Sequence, residues 1–139
     1  MNALLLERHP WETSGSEHQI QIPKAAFTEF FGTVGSMDVR VWVPPTASSG
    51  QIRCILLSYY EDSDTYRFNW MTEFGALGHA VLVFEETGEQ TIPYNVWWFA
   101  GADTEAILAR SYPWQQAKAS QYGPGRNWAV IPAPAPRTP

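Results

Sequence analysis

The chain has 139 residues, 45% of them hydrophobic and 14% aromatic, which excludes a disordered polymer and fits one domain with a single core. Its net charge of −5 argues against charge-driven, non-specific nucleic-acid binding, and no apolar run approaches the roughly 20 residues that span a bilayer, so no membrane partner is expected. The one cysteine, Cys54, excludes an internal disulfide and fits a reducing, cytoplasmic setting.

Residues 1–19 read as irregular. Met1–Leu6 is too short, and too soon followed by Glu7, Arg8 and His9, for a secretory leader. Gln19–Ile22 alternates briefly, and Pro23 then opens an amphipathic helix over Lys24–Phe31, with Gly32 as its stop. Asp38–Val43 alternates as a half-buried strand, with Val39, Val41 and Val43 on one face. Pro44-Pro45 ends it. Arg53–Tyr60 is the next strand, pairing as a hairpin with Thr65–Trp70. His79–Glu86 is an apolar strand followed by a Thr87-Gly88-Glu89 turn, and Tyr94–Ala100 is a further strand. Asp103 is placed to cap a helix reaching Arg110. Trp114–Tyr122 reads as a short helix, Gly123-Pro124-Gly125 as a turn, and Ile131–Pro139 as an extended Pro-Ala linker. At least five strands and two or three short helices make a mainly β fold, a barrel or sandwich with helices at its ends.

Catalytic chemistry finds little footing. The histidines are His9, His18 and His79, with no HxH or HxxxH pair, and Cys54 has no cysteine partner, so no metal site and no cofactor are expected. Cys54 lies in an apolar strand and reads as a small buried side chain rather than a nucleophile. Glu61/Asp62 and Glu85/Glu86 are adjacent on strands and so point to opposite faces. Neither Lys24 nor Lys118 has an acid two residues before it, as the common metal-dependent nuclease motif requires. Recognition is better supported. The stretch Tyr59–Trp70, YYEDSDTYRFNW, is a polar arm on a β core, rich in the side chains that read base edges and phosphates. Gln19 and Gln21, at the mouth of the first helix, have the same capacity. Gly123–Asn127 reads either as a phosphate cradle completed by Arg126 or as a plain turn. Trp97-Trp98 and Trp114 keep a carbohydrate- or protein-binding module open as the alternative. All 14 acids lie at or before Glu105, whereas Arg110, Lys118, Arg126 and Arg137 follow with none, so any DNA-binding face must be local.

The order of these features resembles the N-terminal effector domain of the EcoRII-type restriction endonucleases, itself similar to the plant B-three DNA-binding domain. The resemblance is carried by His18-Gln19 leading to Ile22-Pro23 and a helix with Glu29, Phe30 and Phe31. It continues through Arg53…Tyr59-Tyr60, a polar arm closing on Trp70, Ala80–Phe84, Asn95-Val96-Trp97 and the acidic Asp103-Thr104-Glu105. It covers about His18–Leu108. It implies a seven-stranded open pseudobarrel over residues 1–130, followed by a linker, 131–139, toward a separate catalytic domain.

It also implies two arms that grip the DNA major groove. Carried over, the first arm is about Ser14–Lys24, with His18, Gln19, Gln21 and Lys24 as contacts. The second is about Glu61–Trp70, with Asp62, Ser63, Asp64, Thr65, Tyr66, Arg67 and Asn69. This second arm is acidic where that of the familiar relative is basic. On this reading Arg67 meets a guanine edge and Asp62 or Asp64 accepts from a cytosine amino group. Gln19 or Gln21 reads a base, and Lys24, Lys118 and Arg126 position phosphates. The chain would be a monomeric, non-catalytic binder of duplex DNA with a target of the CC(A/T)GG kind. Mg2+ would belong only to the catalytic domain of the same parent chain, which this domain would restrain until DNA is bound.

Overall fold

Ala3-Leu4-Leu5-Leu6 forms the middle of the molecule. In the computed structural model, which describes residues 1–10, 19–32, 35–43, 50–62, 64–117 and 125–139, strand β1 (Asn2–Arg8) is buried from Ala3 to Arg8. The irregular reading of residues 1–19 is therefore corrected over this strand. A strand covered on both faces shows an unbroken apolar run rather than alternation. β1 pairs antiparallel with β7 (Ala80–Glu86) on one side and with β10 (Asn127–Pro132) on the other.

The remaining elements follow in chain order. β2 (Gln19–Pro23) leads into α1 (Lys24–Ala26), which widens into a π-helical turn over Phe27–Phe31. Pro23 is the last residue of β2 and flanks the helix instead of opening it. Phe27, Phe30 and Phe31 are buried, and Gly32 ends the turn at φ +74°, its N–H donating to the Phe27 carbonyl at 3.0 Å. Then come β3 (Ser36–Val41), β4 (Gln51–Leu56), β5 (Ser58–Tyr60) and β6 (Thr65–Asn69). A 3-10 turn at Thr72–Phe74 precedes β7, and β8 (Tyr94–Ala100), α2 (Ala102–Leu108) and β9 (Gln115–Gln116) come before β10.

Among the described residues the strands form two open sheets, one of seven strands in the order β4-β3-β8-β7-β1-β10-β9 and one of three in the order β2-β6-β5. Every pairing is antiparallel except β3 with β8. The expected strand Arg53–Tyr60 is thus two strands in two sheets. It changes sheet at Leu57, a buried residue whose N–H donates to the Gly35 carbonyl at 2.7 Å.

Two apolar layers flank the large sheet. Leu4, Leu6, Leu82, Phe84 and Val96 face the small sheet and α1, where Ile20, Ile22, Phe68 and the helical phenylalanines meet them. Leu5, Val81, Val83, Trp97 and Phe99 face the opposite way and are covered by Ile107 of α2 and by Ala135. No helix among the described residues is long and apolar enough to cross a membrane.

Three expectations at the C-terminal end change. α2 starts after Gly101, at φ +59°, with no side-chain cap and stops at Leu108, so Asp103 lies inside the first turn and Arg110 outside the helix. Of the expected helix Trp114–Tyr122, Gln115–Gln116 form β9 and pair with Asn127 and Trp128, whereas residues 118–122 and Gly123-Pro124 of the expected turn lie outside the described residues. The Pro-Ala stretch packs on the body. Ile131 and Pro132 belong to β10, the Ala135 N–H donates to Glu85 at 2.7 Å, and Trp97 Nε1 donates to the Pro136 carbonyl at 2.9 Å. The Arg137 guanidinium lies 4.2 Å from the centre of the Trp97 ring.

Candidate functional site

The polar arm is a tight hairpin. β5 pairs with β6 from Ser58↔Arg67 to Tyr60↔Thr65, and the chain reverses between these strands. Asp64 adopts φ +52°, which a short carboxylate residue tolerates better than most, and its N–H donates to the Glu61 carbonyl at 3.2 Å. Its carboxylate accepts the Tyr59 hydroxyl and lies 3.6 Å from Lys24 Nζ. The hydrogen bond to Asp64 pushes the Tyr59 phenol up to about 12, and the same bond holds the Asp64 carboxyl below its usual range. The tip is thereby braced to the start of α1.

Pairing fixes which side chains share a face. Gln19 lies opposite Asn69, Gln21 opposite Arg67 and Pro23 opposite Thr65. Ile20, Ile22 and Phe68 point into the core. The outward face therefore carries Gln19, Arg67, Asn69, Ser58 and Tyr60. Arg67 lies at its centre, donating through Nη1 to Gln19 Oε1 at 3.3 Å, with the guanidinium 4.4 Å from the Tyr60 ring centre. These residues, with Cys54 and Leu56, line an open hollow of about 260 Å³.

The expected contact residues divide accordingly. Gln19, Arg67 and Asn69 come together on this face, with Asp62 exposed at the tip and Lys24 exposed beside Asp64. Gln21 and Arg126 are buried and bonded to each other, Nη2 to Oε1 at 3.0 Å, which withdraws both from base and phosphate contact. Thr65 is buried, and the Tyr66 ring stacks on Phe27 at 3.5 Å, so Tyr66 packs on the π-helical turn. Asp64 is committed to Tyr59 and Lys24. His18, Ser63 and Lys118 lie outside the described residues. The described parts of the two expected arms are neighbouring strands of one sheet. The hairpin turn is at the Pro23 end of β2, and the chain enters β2 at the Asn69 end.

Other candidates are corrected. Cys54 is exposed because β4 is an edge strand that sends only Ile55 inward and turns its neighbours to solvent. Trp97 and Trp98 leave opposite faces of β8. Trp97 is buried under the C-terminal segment, and Trp98 meets Trp70 edge-on at 5.0 Å, so they form no sugar-stacking platform. Trp114 Nε1 donates to the Arg110 carbonyl, and its ring packs on Tyr112.

A cluster that spacing along the chain did not reveal lies at the end of β1. Glu7 Oε2 is 2.7 Å from His79 Nε2 and 3.3 Å from His9 Nε2, and the two imidazoles stack at 4.7 Å. Glu7 Oε1 accepts both the backbone N–H and the side-chain N–H of Asn127, at 2.9 and 3.0 Å. Burial pushes the Glu7 carboxyl up, but the bonds from His79 and Asn127 and the nearby imidazoles outweigh it and hold it below its usual range. Burial pushes the His9 imidazole down, with the charges on His79 and Arg126 adding to the effect against the pull of Glu7. Only the E-x-H spacing at Glu7 and His9 was visible in the sequence, and it becomes informative once β1 is known to be a strand beside His79. No protein-family model, no curated protein and no solved structure matches the chain.

Proposed function

We propose that this chain is a non-catalytic domain that recognises duplex DNA through the outward face of the β2-β6-β5 sheet. The single observation that carries the reading is Arg67, aimed by Gln19 and Tyr60 at the centre of a face that also presents Asn69. A two-stranded β-ribbon fits the major groove. Arg reads guanine bidentately, Asn and Gln read adenine, and an acid such as Asp62 accepts from cytosine. Prior positioning of Arg67 lowers the ordering cost of binding.

The same proposal takes in the seven-stranded open pseudobarrel and the EcoRII-type effector role, with a target of the CC(A/T)GG kind and a monomeric, cytoplasmic state. A catalytic domain of the same parent, holding any Mg2+, would be the second partner and would be restrained until DNA is bound. Support for the curled arrangement comes from the chain passing directly between sheets at Leu57 and from the Gln21–Arg126 bond, which ties β2 to the start of β10.

Selection of bound duplexes from a random pool, at about 50 mM salt where phosphate contacts are strong, tests the reading. A short enriched motif is expected, and Arg67→Ala should weaken binding to it by about 5- to 150-fold, the equivalent of one bidentate contact of ~1–3 kcal/mol. Among the described residues Arg67 is the cation at the centre of this face, so log K should fall with log salt at a shallow slope of about −1. A pool that emerges unenriched removes the proposal. An enriched motif bound equally well by Arg67→Ala and Asn69→Ala moves the site elsewhere.

A further inference from the structure

The Glu7, His9 and His79 cluster belongs to a different part of the molecule from the polar face. Glu7 and His9 are two apart at the end of β1 and so share a face. His79 lies one register step beyond the Arg8↔Ala80 pair, opposite His9. The backbone of two hydrogen-bonded strands thus delivers all three side chains to one point, and their ligating atoms lie within 4.8 Å of one another.

The surroundings are those of a built site. Two N–H groups from Asn127 occupy one Glu7 oxygen and aim the other at the imidazoles. Behind His79, Nδ1 lies 3.8 Å from the exposed Glu105 Oε1, beyond hydrogen-bond reach, so a side-chain shift is needed before this carboxylate can support the imidazole as such groups commonly do. The two imidazoles stack in parallel, and both bring Nε2 within 3.3 Å of the same Glu7 oxygen, so three potential ligand atoms converge on one point.

We propose that Glu7 Oε2, His9 Nε2 and His79 Nε2 form a zinc-class divalent metal site with its fourth position open to water beside His79. Ligand bonds of about 2.0–2.1 Å in a tetrahedron set the ligand atoms about 3.3 Å apart. The Glu7–His9 separation of 3.3 Å already meets this. The Glu7–His79 separation of 2.7 Å must open by about half an ångström, a small rotation for a side chain that is 34% exposed. The ion would fasten β1 to β7 directly and to β10 through Asn127. One carboxylate and two imidazoles is also a donor set used where zinc activates water.

The test uses the full chain without an affinity tag, stripped by a chelator and titrated with Zn2+ against a chromophoric competitor. In parallel, Co2+ is added and the visible spectrum recorded. Expected results are one equivalent bound at micromolar or lower free metal, a rise in Tm with Zn2+, and the intense visible bands of four-coordinate cobalt. His79→Gln and His9→Gln should each weaken binding at least tenfold, and Cys54→Ser should leave it unchanged. The cobalt spectrum of the unaltered chain needs no variant, so a misfolded substitution does not decide the matter. No bound equivalent, an octahedral cobalt spectrum, undiminished affinity in His79→Gln, or loss of binding in Cys54→Ser would each overturn the site.

Discussion

Phe84→Ala tests the packing between the two sheets. Phe84 is fully buried on β7 and meets Phe31 edge-on at 5.3 Å and Phe68 edge-on at 5.9 Å, so one ring joins the large sheet to both the π-helical turn and the small sheet. Truncating a buried phenylalanine costs ~3–5 kcal/mol, the sum of lost transfer energy and the void left behind. For a chain of this length that is a fall in Tm of roughly 10–20 °C. Urea unfolding should show the same loss as a lower midpoint at unchanged slope. Phe84→Leu, which refills much of the void, should lose about half as much. A double-mutant cycle with Phe31→Ala should return a coupling of about 0.5–1.5 kcal/mol, the value of an edge-to-face pair. If Phe84→Ala behaves like a surface change, within about 0.5 kcal/mol, the ring does not join the layers and the two-sheet arrangement is wrong.

Three further outcomes follow from single residues. Gly32→Ala should cost about 1–3 kcal/mol, read as a lower urea midpoint, because Gly32 sits at φ +74° and, among the described residues beyond its chain neighbours, nothing lies within 4 Å of an added methyl group, so backbone strain is the cost. Cys54 should react with a thiol reagent in the folded chain at a rate within about tenfold of the unfolded chain, since it is exposed. Strong protection would place β4 inside the molecule. In a spectrophotometric titration one tyrosine, Tyr59, should ionise near 12, and Asp64→Asn should return it toward the ordinary 10. A phenol raised in the folded state contributes stability that is complete below the unfolded value and fades as pH climbs toward 12, so any destabilisation it causes appears only in alkali.

What the sequence disclosed follows from how many faces each strand buries. β3 was legible because Val39 and Val41 alternate with polar neighbours, and the β5–β6 hairpin because its acidic reversal interrupts two β-rich runs. β7 was legible because turn residues bound an apolar run on both sides. β1 has the same doubly buried character, but its leucines stand at the chain start, where no preceding turn marks a strand. The C-terminal segment was misread for a chemical reason. Pro and Ala suit an extended linker, but this stretch is fixed by Glu85 and by the buried Trp97 indole, whose N–H needs an acceptor. At the candidate site, local composition exposed the polar face. Which of its members are open was not legible, because Gln21 is covered by a residue 105 positions away.

Arg126 and Asn127 show why both sites depend on one strand start. Arg126 binds Gln21 of the small sheet, and Asn127 binds Glu7 of the histidine cluster. A single step of backbone at the start of β10 thus ties the strand both to the small sheet and to the histidine cluster. β10 in turn is held by its register with β1, from Asn2↔Pro132 to Leu6↔Trp128. A slip of one residue in that register would move both side chains off their partners, for example placing Trp128 where Asn127 meets Glu7. The apolar leucines of β1 therefore do more than fill the core. By fixing the register of β10 they decide which polar residue reaches which site, and so a substitution at Leu5 or Leu6 that loosens this pairing disturbs the Gln21–Arg126 bond and the histidine-cluster geometry together, although it touches neither.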